Sequence, residues 1–403
     1  MDYIRKPYHT LSARIQEPRK FMQVLAGSRQ VGKSTLVEQV LQNVTIPYSM
    51  EVADAVEPQD SDWIRRVWEG ARTTMALRGE PERLLVIDEV QKIDNWSEVV
   101  KKEWDEDTRK RVNLKVVLLG SSRLLLKKGL TESLAGRFEL IRLGHWSYQE
   151  MHDAFGVTLE EYIYFGGYPG AAQLMGDEKR WRKYIKDSLV TPSIEKDVLM
   201  TSNIYKPALM KLLFELGCSY SAEILSLTKL MGQLQDVGNV TTLASYLEIL
   251  DQCALLTGLQ KYANDDARKR SSVPKYQVYN NALLTAYKGR AFHTDRTDAT
   301  LWGRWVESAI GAHLLSMAEE LDYQVFYWRE PARNKAGKDK EVDFIIVNDG
   351  EVTAIEVKSG RRGMNSGLPA FVEAFHPKRS FVVGAGGVSL EDFLSCDLGA
   401  LLR

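Results

Sequence analysis

A glycine-rich loop near the N-terminus has the spacing that binds phosphate. Residues 27–34 read GSRQVGKS, after an apolar run at 21–26 and before the helical pattern TLVEQVLQ. Glycines let backbone N–H groups turn toward phosphate oxygens, and a helix N-terminus adds a favourable dipole. At this spacing Lys33 is expected to reach the β- and γ-phosphates of ATP, and Ser34 to ligate Mg²⁺. The predicted nucleotide-binding set is Gly27, Ser28, Arg29, Gln30, Val31, Gly32, Lys33, Ser34 and Thr35.

Two adjacent carboxylates follow an apolar run further along the chain. Residues 84–89 read LLVIDE, which predicts a buried strand that ends in Asp88 and Glu89. Asp88 is expected to hold the Mg²⁺ shell, and Glu89 to orient and polarise the attacking water. Together with the upstream loop, this pair predicts hydrolysis of ATP.

Two further positions are candidates for contact with the γ-phosphate. The apolar strand at 115–120 ends in Ser121 and Ser122, of which we expect Ser121 to sense the γ-phosphate or the water. A plain serine turn is the alternative. Arg137 precedes the strand at 138–143, where an arginine can face a neighbouring subunit's nucleotide as an arginine finger. A surface or salt-bridged arginine is the alternative there.

A second set of ionisable residues lies near the C-terminus. Residues two apart on a strand share a face, so Glu356 and Lys358 lie together, and Asp343 can join them from the adjacent strand of a hairpin. Two carboxylates on a rigid sheet suit Mg²⁺, and a neighbouring lysine can position a water or stabilise a pentavalent phosphate. Glu307, on a predicted amphipathic helix, is a further candidate for an acidic ligand. The predicted metal ligands are Ser34, Asp88, Glu307, Asp343 and Glu356, and the predicted catalytic residues are Lys33, Glu89, Ser121, Arg137, Asp343, Glu356 and Lys358.

The elements that position these residues follow from the apolar periodicity. From about residue 20 to 150, short apolar runs alternate with helical patterns, which indicates a parallel α/β sheet. From about 158 to 290 the pattern is mostly helical, with Pro207 and Gly217 as the start and stop of one helix. Strands are predicted at 21–26, 46–52, 84–88, 115–120, 138–143, 257–262, 275–279, 325–328, 342–347, 352–357 and 380–384, and a further helix at 239–256.

The motifs resemble a family of prokaryotic AAA+ ATPases whose C-terminal part was long called a domain of unknown function. The matching stretches are GSRQVGKST, LLVIDEVQKIDNW, LLGSS, ESLAGRFELIRL and FGGYP. The resemblance implies an α/β chain with a P-loop AAA+ parallel sheet domain, in which the strand at 115–120 lies between those at 21–26 and 84–88. The expected parts are this domain at 1–155, a helical lid at 156–204, a winged helix-turn-helix at 205–295 and a restriction-endonuclease-like α/β domain at 296–403. ATP and Mg²⁺ are the implied cofactors.

The middle segment is expected to contact DNA or to pack against protein. In the winged helix that the resemblance implies, Thr241 and Thr242 lie near the start of a recognition-like helix. The wing would carry Lys261, Arg268, Lys269, Arg270 and Lys275, which suit phosphate contacts, although a solvated basic loop is the alternative. Arg180 and Arg182 are both candidates for a lid arginine that contacts ATP.

The pattern of Asp343, Glu356 and Lys358 resembles the PD-(D/E)XK nuclease fold, with Val342 in place of the proline. Such a fold can cleave phosphodiesters or persist as a binding or structural module. Lys340, Arg361 and Arg362 flank the site and would attract a nucleic-acid backbone, or else form a solvated turn.

Composition limits the remaining classes. The chain has 403 residues and a formal net charge of −1, which argues against a globally basic nucleic-acid binder. The three cysteines fit neither a disulfide framework nor a zinc site, and no apolar run predicts a signal peptide or membrane helix, so a cytoplasmic protein is expected. We expect a nucleic-acid-directed ATPase that forms a homo-oligomer, with a hexameric ring as one form. The alternatives are a nucleotide-dependent switch that binds a protein partner, and an ATPase whose nuclease-like fold is only a scaffold.

Overall fold

A computed structural model of the chain describes residues 3–120, 133–198, 204–233, 239–263, 272–318, 320–332, 339–360 and 367–402. The chain divides into two units, Met1–Gly144 and His145–Arg403. Among the described residues, no helix combines the length and the apolar character that crossing a membrane requires.

The first unit is built on a five-stranded parallel sheet in the order β2-β3-β4-β1-β5. All five predicted strands are present within two residues of the expected bounds, and β4 lies between β1 and β3 as predicted. The strands are β1 (Met22–Gly27), β2 (Tyr48–Val52), β3 (Arg83–Asp88), β4 (Leu114–Gly120) and β5 (Phe138–Leu143). Because they are parallel, their carboxyl ends meet at one edge of the sheet, where polar residues follow β1 and β3.

Helices cover both faces of this sheet, which explains why every residue of β3 and β4 is buried. One face packs on the core that contains Leu36 and Val86, and the other on the core that contains Trp68 and Leu85. The helices are α1 (Lys6–Gln16), α2 (Lys33–Leu41), α3 (Asp62–Arg78) and α4 (Trp96–Lys110), with short 3₁₀ turns at Ala53–Ala55 and Val90–Lys92.

The second unit combines a mostly helical first part with two small sheets. The order of the three-stranded antiparallel sheet is β6-β8-β7, and that of the four-stranded sheet is β12-β11-β10-β9. The strands are β6 (Glu223–Ile224), β7 (Leu256–Leu259), β8 (Lys275–Val278), β9 (Gln324–Glu330), β10 (Lys340–Asn348), β11 (Glu351–Lys358) and β12 (Arg379–Gly384). Short 3₁₀ turns occupy Pro169–Leu174, and π-helical turns occupy Tyr184–Val190 and Ser193–Val198. The described α-helices of this unit are Tyr148–Phe155, Leu159–Phe165, Glu178–Lys183, Pro207–Ser219, Leu227–Met231, Val240–Gln252, Asn281–Lys288, Phe292–Thr297, Ala299–Ala318, Gly367–Phe375, Leu390–Ser395 and Leu398–Leu402.

Two helix ends differ from the sequence-based expectation. Gly217 does not stop its helix, which continues to Ser219. A Cβ at Gly217 would lie 2.3 Å from Leu256 Cδ2, so this glycine permits close packing rather than termination. The helix predicted at 239–256 ends at Gln252, because Leu256 already belongs to β7. Its start is as expected, with Asn239 as the N-cap that accepts from Thr242 N at 2.8 Å.

One hydrophobic core joins residues from all three parts predicted within the second unit. It includes Tyr164, Phe214, Tyr276 and Trp305. Hydrogen bonds strengthen this junction: Thr285 Oγ1 donates to the backbone oxygen of Tyr164, and Trp305 Nε1 donates to Thr285 Oγ1 at 2.7 Å. The division into lid, winged helix and nuclease-like domain stays a prediction.

Candidate nucleotide site and acidic centre

The glycine-rich loop connects β1 to α2 at the carboxyl edge of the parallel sheet. Gly27 passes so close to β5 that a Cβ there would lie 2.5 Å from the Leu143 backbone oxygen. Gly32 has a φ of 92° and precedes the first residue of α2, a conformation that favours glycine. Lys33 is buried, and its Nζ donates to the backbone oxygens of Gly27 at 2.9 Å and Ser28 at 2.8 Å. The ammonium thus lies inside the loop that is predicted to hold phosphate.

Ser34 and Asp88 meet at the same edge of the sheet. Ser34 Oγ donates to Asp88 Oδ2 at 2.8 Å, although 54 residues separate the two in sequence. The other carboxylate oxygen, Asp88 Oδ1, accepts from the backbone N–H of Glu89 at 2.8 Å. A hydroxyl and a carboxylate side by side match the oxygen ligands that Mg²⁺ takes in nucleotide sites, so the residues present fit this ion.

Glu89 leaves the strand in a left-handed conformation, with a φ of 55°. Positive φ is uncommon for a non-glycine residue and often occurs at functional sites. Gln91, which is 5 % exposed, donates from Nε2 to Glu89 Oε2 at 2.5 Å. Gln91 belongs to no sequence motif that would predict this role, because its contact depends on the 3₁₀ turn Val90–Lys92 after β3.

The two positions predicted to contact the γ-phosphate are the serines after β4 and Arg137, and the structure describes only Arg137. Ser121 and Ser122 lie outside the described residues, directly after β4. Arg137 forms a two-point ion pair with Asp105 in its own chain, through Nε at 2.8 Å and Nη2 at 3.0 Å. The Arg137 hydrogen bond lowers the pKa of Asp105. The guanidinium therefore has a partner within the subunit, and an arginine-finger role stays a prediction.

The predicted C-terminal residues come together where β10 and β11 run antiparallel. Phe344 pairs with Ile355, so Asp343 and Glu356 are the next residues along the two strands. Asp343 Oδ2 accepts from Val357 N at 2.7 Å, and Lys358 Nζ lies 3.5 Å from Glu356 Oε1. Burial raises the pKa of Glu356, and the neighbouring Asp343 carboxylate raises it further.

Three carboxylates converge beside this pair. One oxygen each from Glu307, Glu341 and Asp343 lie within 4.8 Å of one another. Glu307 comes from the helix Ala299–Ala318, in which Val306, Ile310 and Leu314 are buried. Glu341 was missed by the sequence analysis, although the spacing of two from Asp343 on one strand could have identified it. We call Glu307, Glu341 and Asp343 the acidic centre.

Lys275 lies among these carboxylates, and its predicted role as a wing cation was wrong. Its side chain is fully buried at the start of β8, and Nζ lies 2.5 Å from Glu307 Oε1. Nζ is also 3.5 Å from Glu341 Oε1 and 3.7 Å from Asp343 Oδ1, and it donates to the Asp343 backbone oxygen at 3.2 Å. A lysine enclosed in this way has no surface with which to contact a nucleic-acid phosphate.

The electrostatics of Lys275 and Glu307 follow from burial and mutual attraction. Burial alone would lower the pKa of Lys275, but the carboxylates of Glu307, Asp343 and Glu341 outweigh it and raise the pKa above its usual value. Burial raises the pKa of Glu307, with Lys275 opposing and Asp343 reinforcing that shift. Lys275 is therefore cationic at neutral pH.

The structure describes some, but not all, of the other residues predicted to contact nucleic acid or ATP. Arg268, Lys269, Arg270, Arg361 and Arg362 lie outside the described residues. Thr241 is exposed near the start of its helix, whereas Thr242 Oγ1 donates to the capping Asn239 at 2.9 Å. Lys340 Nζ lies 3.4 Å from Glu330 Oε2. Of the two candidate lid arginines, Arg180 is exposed and Arg182 donates to the Arg290 backbone oxygen at 3.1 Å.

Three protein families match successive parts of the chain. Residues 19–152 match the AAA domain, 156–293 match a domain of unknown function (DUF8612), and 302–393 match another domain of unknown function (DUF4143). With the loop geometry above, the first match defines residues 19–152 as a nucleotide-binding P-loop ATPase domain of the AAA type.

The chain as a whole is similar to an uncharacterized protein of Haemophilus influenzae, with 21 % identity over 356 residues that cover 84 % of this chain and 82 % of the relative. Among solved structures it is similar to the Walker-type ATPase of Pyrococcus abyssi, with 13 % identity, a TM-score of 0.48, and coverage of 70 % of this chain and 95 % of that one. It is also similar to the ORC2 protein of Aeropyrum pernix, with 13 % identity, a TM-score of 0.41, and coverage of 64 % and 89 %.

Proposed function

We propose that the protein is a Mg²⁺-dependent ATPase that binds DNA and remodels or processes it, with a nuclease-like C-terminal part. The contact between Ser34 Oγ and Asp88 Oδ2 at 2.8 Å carries the ATPase part of this proposal. It brings a hydroxyl at the start of α2 and a carboxylate at the end of β3 to one point, directly beside the phosphate loop.

Each residue of the site has a role in hydrolysis under this proposal. The ammonium of Lys33 exchanges the loop oxygens of Gly27 and Ser28 for the β- and γ-phosphate oxygens, whose negative charge binds it more strongly. Ser34 and Asp88 would hold Mg²⁺, and the bound ion would supply positive charge against the phosphates. Glu89 orients the attacking water and accepts its proton.

The order of elements in the middle segment supports the nucleic-acid part. Among the described residues from Pro207 to Val278, a helix, a short strand, two helices and two strands occur in this order, and the three strands form one sheet. This order matches a winged helix-turn-helix, in which Thr241 lies near the exposed start of the third helix. We further propose a homo-oligomer, a hexameric ring being one form, in which Arg137 faces the neighbouring nucleotide.

The test measures ATP hydrolysis with and without duplex, branched and single-stranded DNA, and runs the same samples on a gel for cleavage. Wild type is compared with Glu89→Gln, and Glu57→Gln, an exposed glutamate, is the matched control. The proposal predicts hydrolysis that DNA stimulates, that Glu89→Gln abolishes and that Glu57→Gln retains. Nicks that disappear in Asp343→Ala would add the nuclease. If the protein does not bind DNA and DNA does not change the rate of ATP hydrolysis, the nucleic-acid part of the proposal is contradicted.

A second candidate is a nucleotide-dependent switch whose nuclease-like domain is a non-catalytic scaffold. The observation that favours it is the ammonium of Lys275, which lies 2.5 Å from Glu307 in the acidic centre, where a catalytic metal would otherwise bind. Tight retention of nucleotide without stimulation by DNA distinguishes this candidate, and a protein partner would then be sought with the Glu89→Gln form.

A further inference from the structure

The acidic centre gathers its three carboxylates from two elements, the helix Ala299–Ala318 and β10. Three carboxylates this close repel one another strongly when they are ionised unless a cation lies between them, since like charges at short range in a protein interior are costly. A cation is present, and it comes from β8, which belongs to the other sheet of this unit. It is Lys275, whose side chain has no exposed surface.

The position of the ammonium corresponds to that of a shared metal ion. Lys275 Nζ contacts one oxygen of each carboxylate, at 2.5 Å, 3.5 Å and 3.7 Å. A Mg²⁺ ion bound to these oxygens would lie about 2 Å from each of its ligands. An ion about 2 Å from Glu307 Oε1 would lie at most about 4.5 Å from Nζ, so the two cations would repel each other strongly in this buried site. The two cations therefore exclude each other.

The surrounding contacts hold Lys275 in place. Nζ also donates to the Asp343 backbone oxygen at 3.2 Å and lies 5.0 Å from the centre of the Phe344 ring. The next residue of β8, Tyr276, is fully buried in the core shared with Trp305 of the helix that carries Glu307. Asp343 Oδ2 is occupied by Val357 N, which leaves Oδ1, the oxygen that faces Lys275.

We propose that Lys275 is the built-in cation of the acidic centre, and that it excludes a divalent metal from Glu307, Glu341 and Asp343. This proposal rests on the second candidate function, in which the nuclease-like domain is a non-catalytic scaffold. It gives a physical reason why such a fold would lack metal-dependent cleavage. It assigns to Lys275 a structural role that joins β8 to β10 and to the helix Ala299–Ala318.

Manganese binding to the full chain without nucleotide tests this proposal, followed by the electron paramagnetic resonance signal of free Mn²⁺. All proteins carry Asp88→Asn, which removes the carboxylate of the first unit from the measurement. Lys275→Met keeps an unbranched side chain that is one atom shorter, and it removes the charge. Lys288→Met is the matched control, because Lys288 is a partly buried lysine 3.7 Å from Glu223. The double variant Lys275→Met/Asp343→Asn identifies the site that binds.

We expect Lys275→Met to bind one Mn²⁺ at least tenfold more tightly than wild type or Lys288→Met, and the double variant to lose this binding. A folded Lys275→Met protein that binds no additional Mn²⁺ overturns the proposal. If Lys275→Met does not fold, wild type is compared with Asp343→Asn alone: equal binding supports the proposal, and Mn²⁺ that binds wild type and is lost in Asp343→Asn overturns it. ATP hydrolysis, measured in parallel on chains with Asp88 intact, tests the ATPase proposal separately, since neither Lys275 nor Asp343 belongs to the nucleotide site.

Discussion

The amide of Gln91 donates a hydrogen bond of 2.5 Å to the carboxylate of Glu89, the residue proposed to activate water. The contact is local, within one 3₁₀ turn, and Gln91 is buried. A buried amide restricts the orientations that the carboxylate can take. Under the proposed mechanism, Gln91 is a positioning residue that would act on the reaction through Glu89.

Gln91→Ala is expected to lower kcat by roughly 10- to 100-fold, the range typical for the loss of a supporting hydrogen bond to a functional group. KM for ATP should stay unchanged, because in the proposal Gln91 contacts Glu89 and not the nucleotide. Steady-state hydrolysis measures both constants, with Gln59→Ala, an exposed glutamine, as the control. A rise in KM with an unchanged kcat would show that Gln91 serves ATP binding instead.

Glu89→Gln keeps the shape of the side chain and removes its ability to accept a proton. We expect kcat to fall by roughly 10² to 10⁴-fold, the usual contribution of a general base, while ATP still binds. Equilibrium binding of a fluorescent ATP analogue, together with single-turnover hydrolysis, separates these two effects. Hydrolysis at the wild-type rate would exclude Glu89 as the base.

Ser34→Ala removes one of the two side-chain oxygens proposed to ligate Mg²⁺. Loss of one such contact costs about 1.5 kcal/mol, which corresponds to about a tenfold change in affinity. The Mg²⁺ concentration for half-maximal hydrolysis should therefore rise about tenfold, and Ser34→Thr, which retains a hydroxyl, should restore it. A Mg²⁺ dependence identical to that of wild type would show that Ser34 is not a ligand.

The nucleotide site was largely readable from the sequence, whereas the environment of the acidic centre was not. The glycine loop and the LLVIDE strand are contiguous motifs, and the carboxyl ends of parallel strands must meet at one edge, so Ser34 and Asp88 could be placed together. Asp343 and Glu356 could be paired for a similar reason, because both lie on one predicted hairpin. Their positions therefore followed from local patterns.

The role of Lys275 could not be inferred in this way. It follows a basic stretch, which favoured an exposed wing, and only the packing of β8 beside the helix Ala299–Ala318 encloses it. Gly217 is a similar case, because the sequence shows a helix-stopping residue, while its neighbour Leu256 comes from a distant strand. Contacts between segments far apart in sequence leave no periodic signal, so both assignments required the structure.

Variants of Arg137 and Asp105 can distinguish a structural role of Arg137 from a catalytic one. Both side chains are partly exposed, so Arg137→Ala and Asp105→Ala should each lower the free energy of unfolding by about 1 kcal/mol. The double variant should be little worse than either single one, because both remove the same contact. Urea unfolding measures these values. A loss of kcat in Arg137→Ala that Asp105→Ala does not share would indicate the arginine finger.

His313 is expected to make stability depend on pH. Its ring is 4 % exposed against Phe393, neither nitrogen has a hydrogen-bond partner among the described residues, and burial lowers its pKa to about 4. The unfolded chain binds a proton near pH 6.5, whereas the folded chain does so only near pH 4. The unfolded state therefore gains protons first, and stability is lost as the pH falls through this window.

His313→Leu removes this source of pH dependence. The free energy of unfolding of the variant, relative to that of wild type, should therefore rise by about 2 kcal/mol as the pH falls from 7 to 5. Urea unfolding at the two pH values measures the difference, and His293→Leu, at an exposed histidine, should show no such change. If wild type and His313→Leu lost equal stability on acidification, His313 would have to be protonated in the folded protein, and a polar partner would have to lie beside its ring.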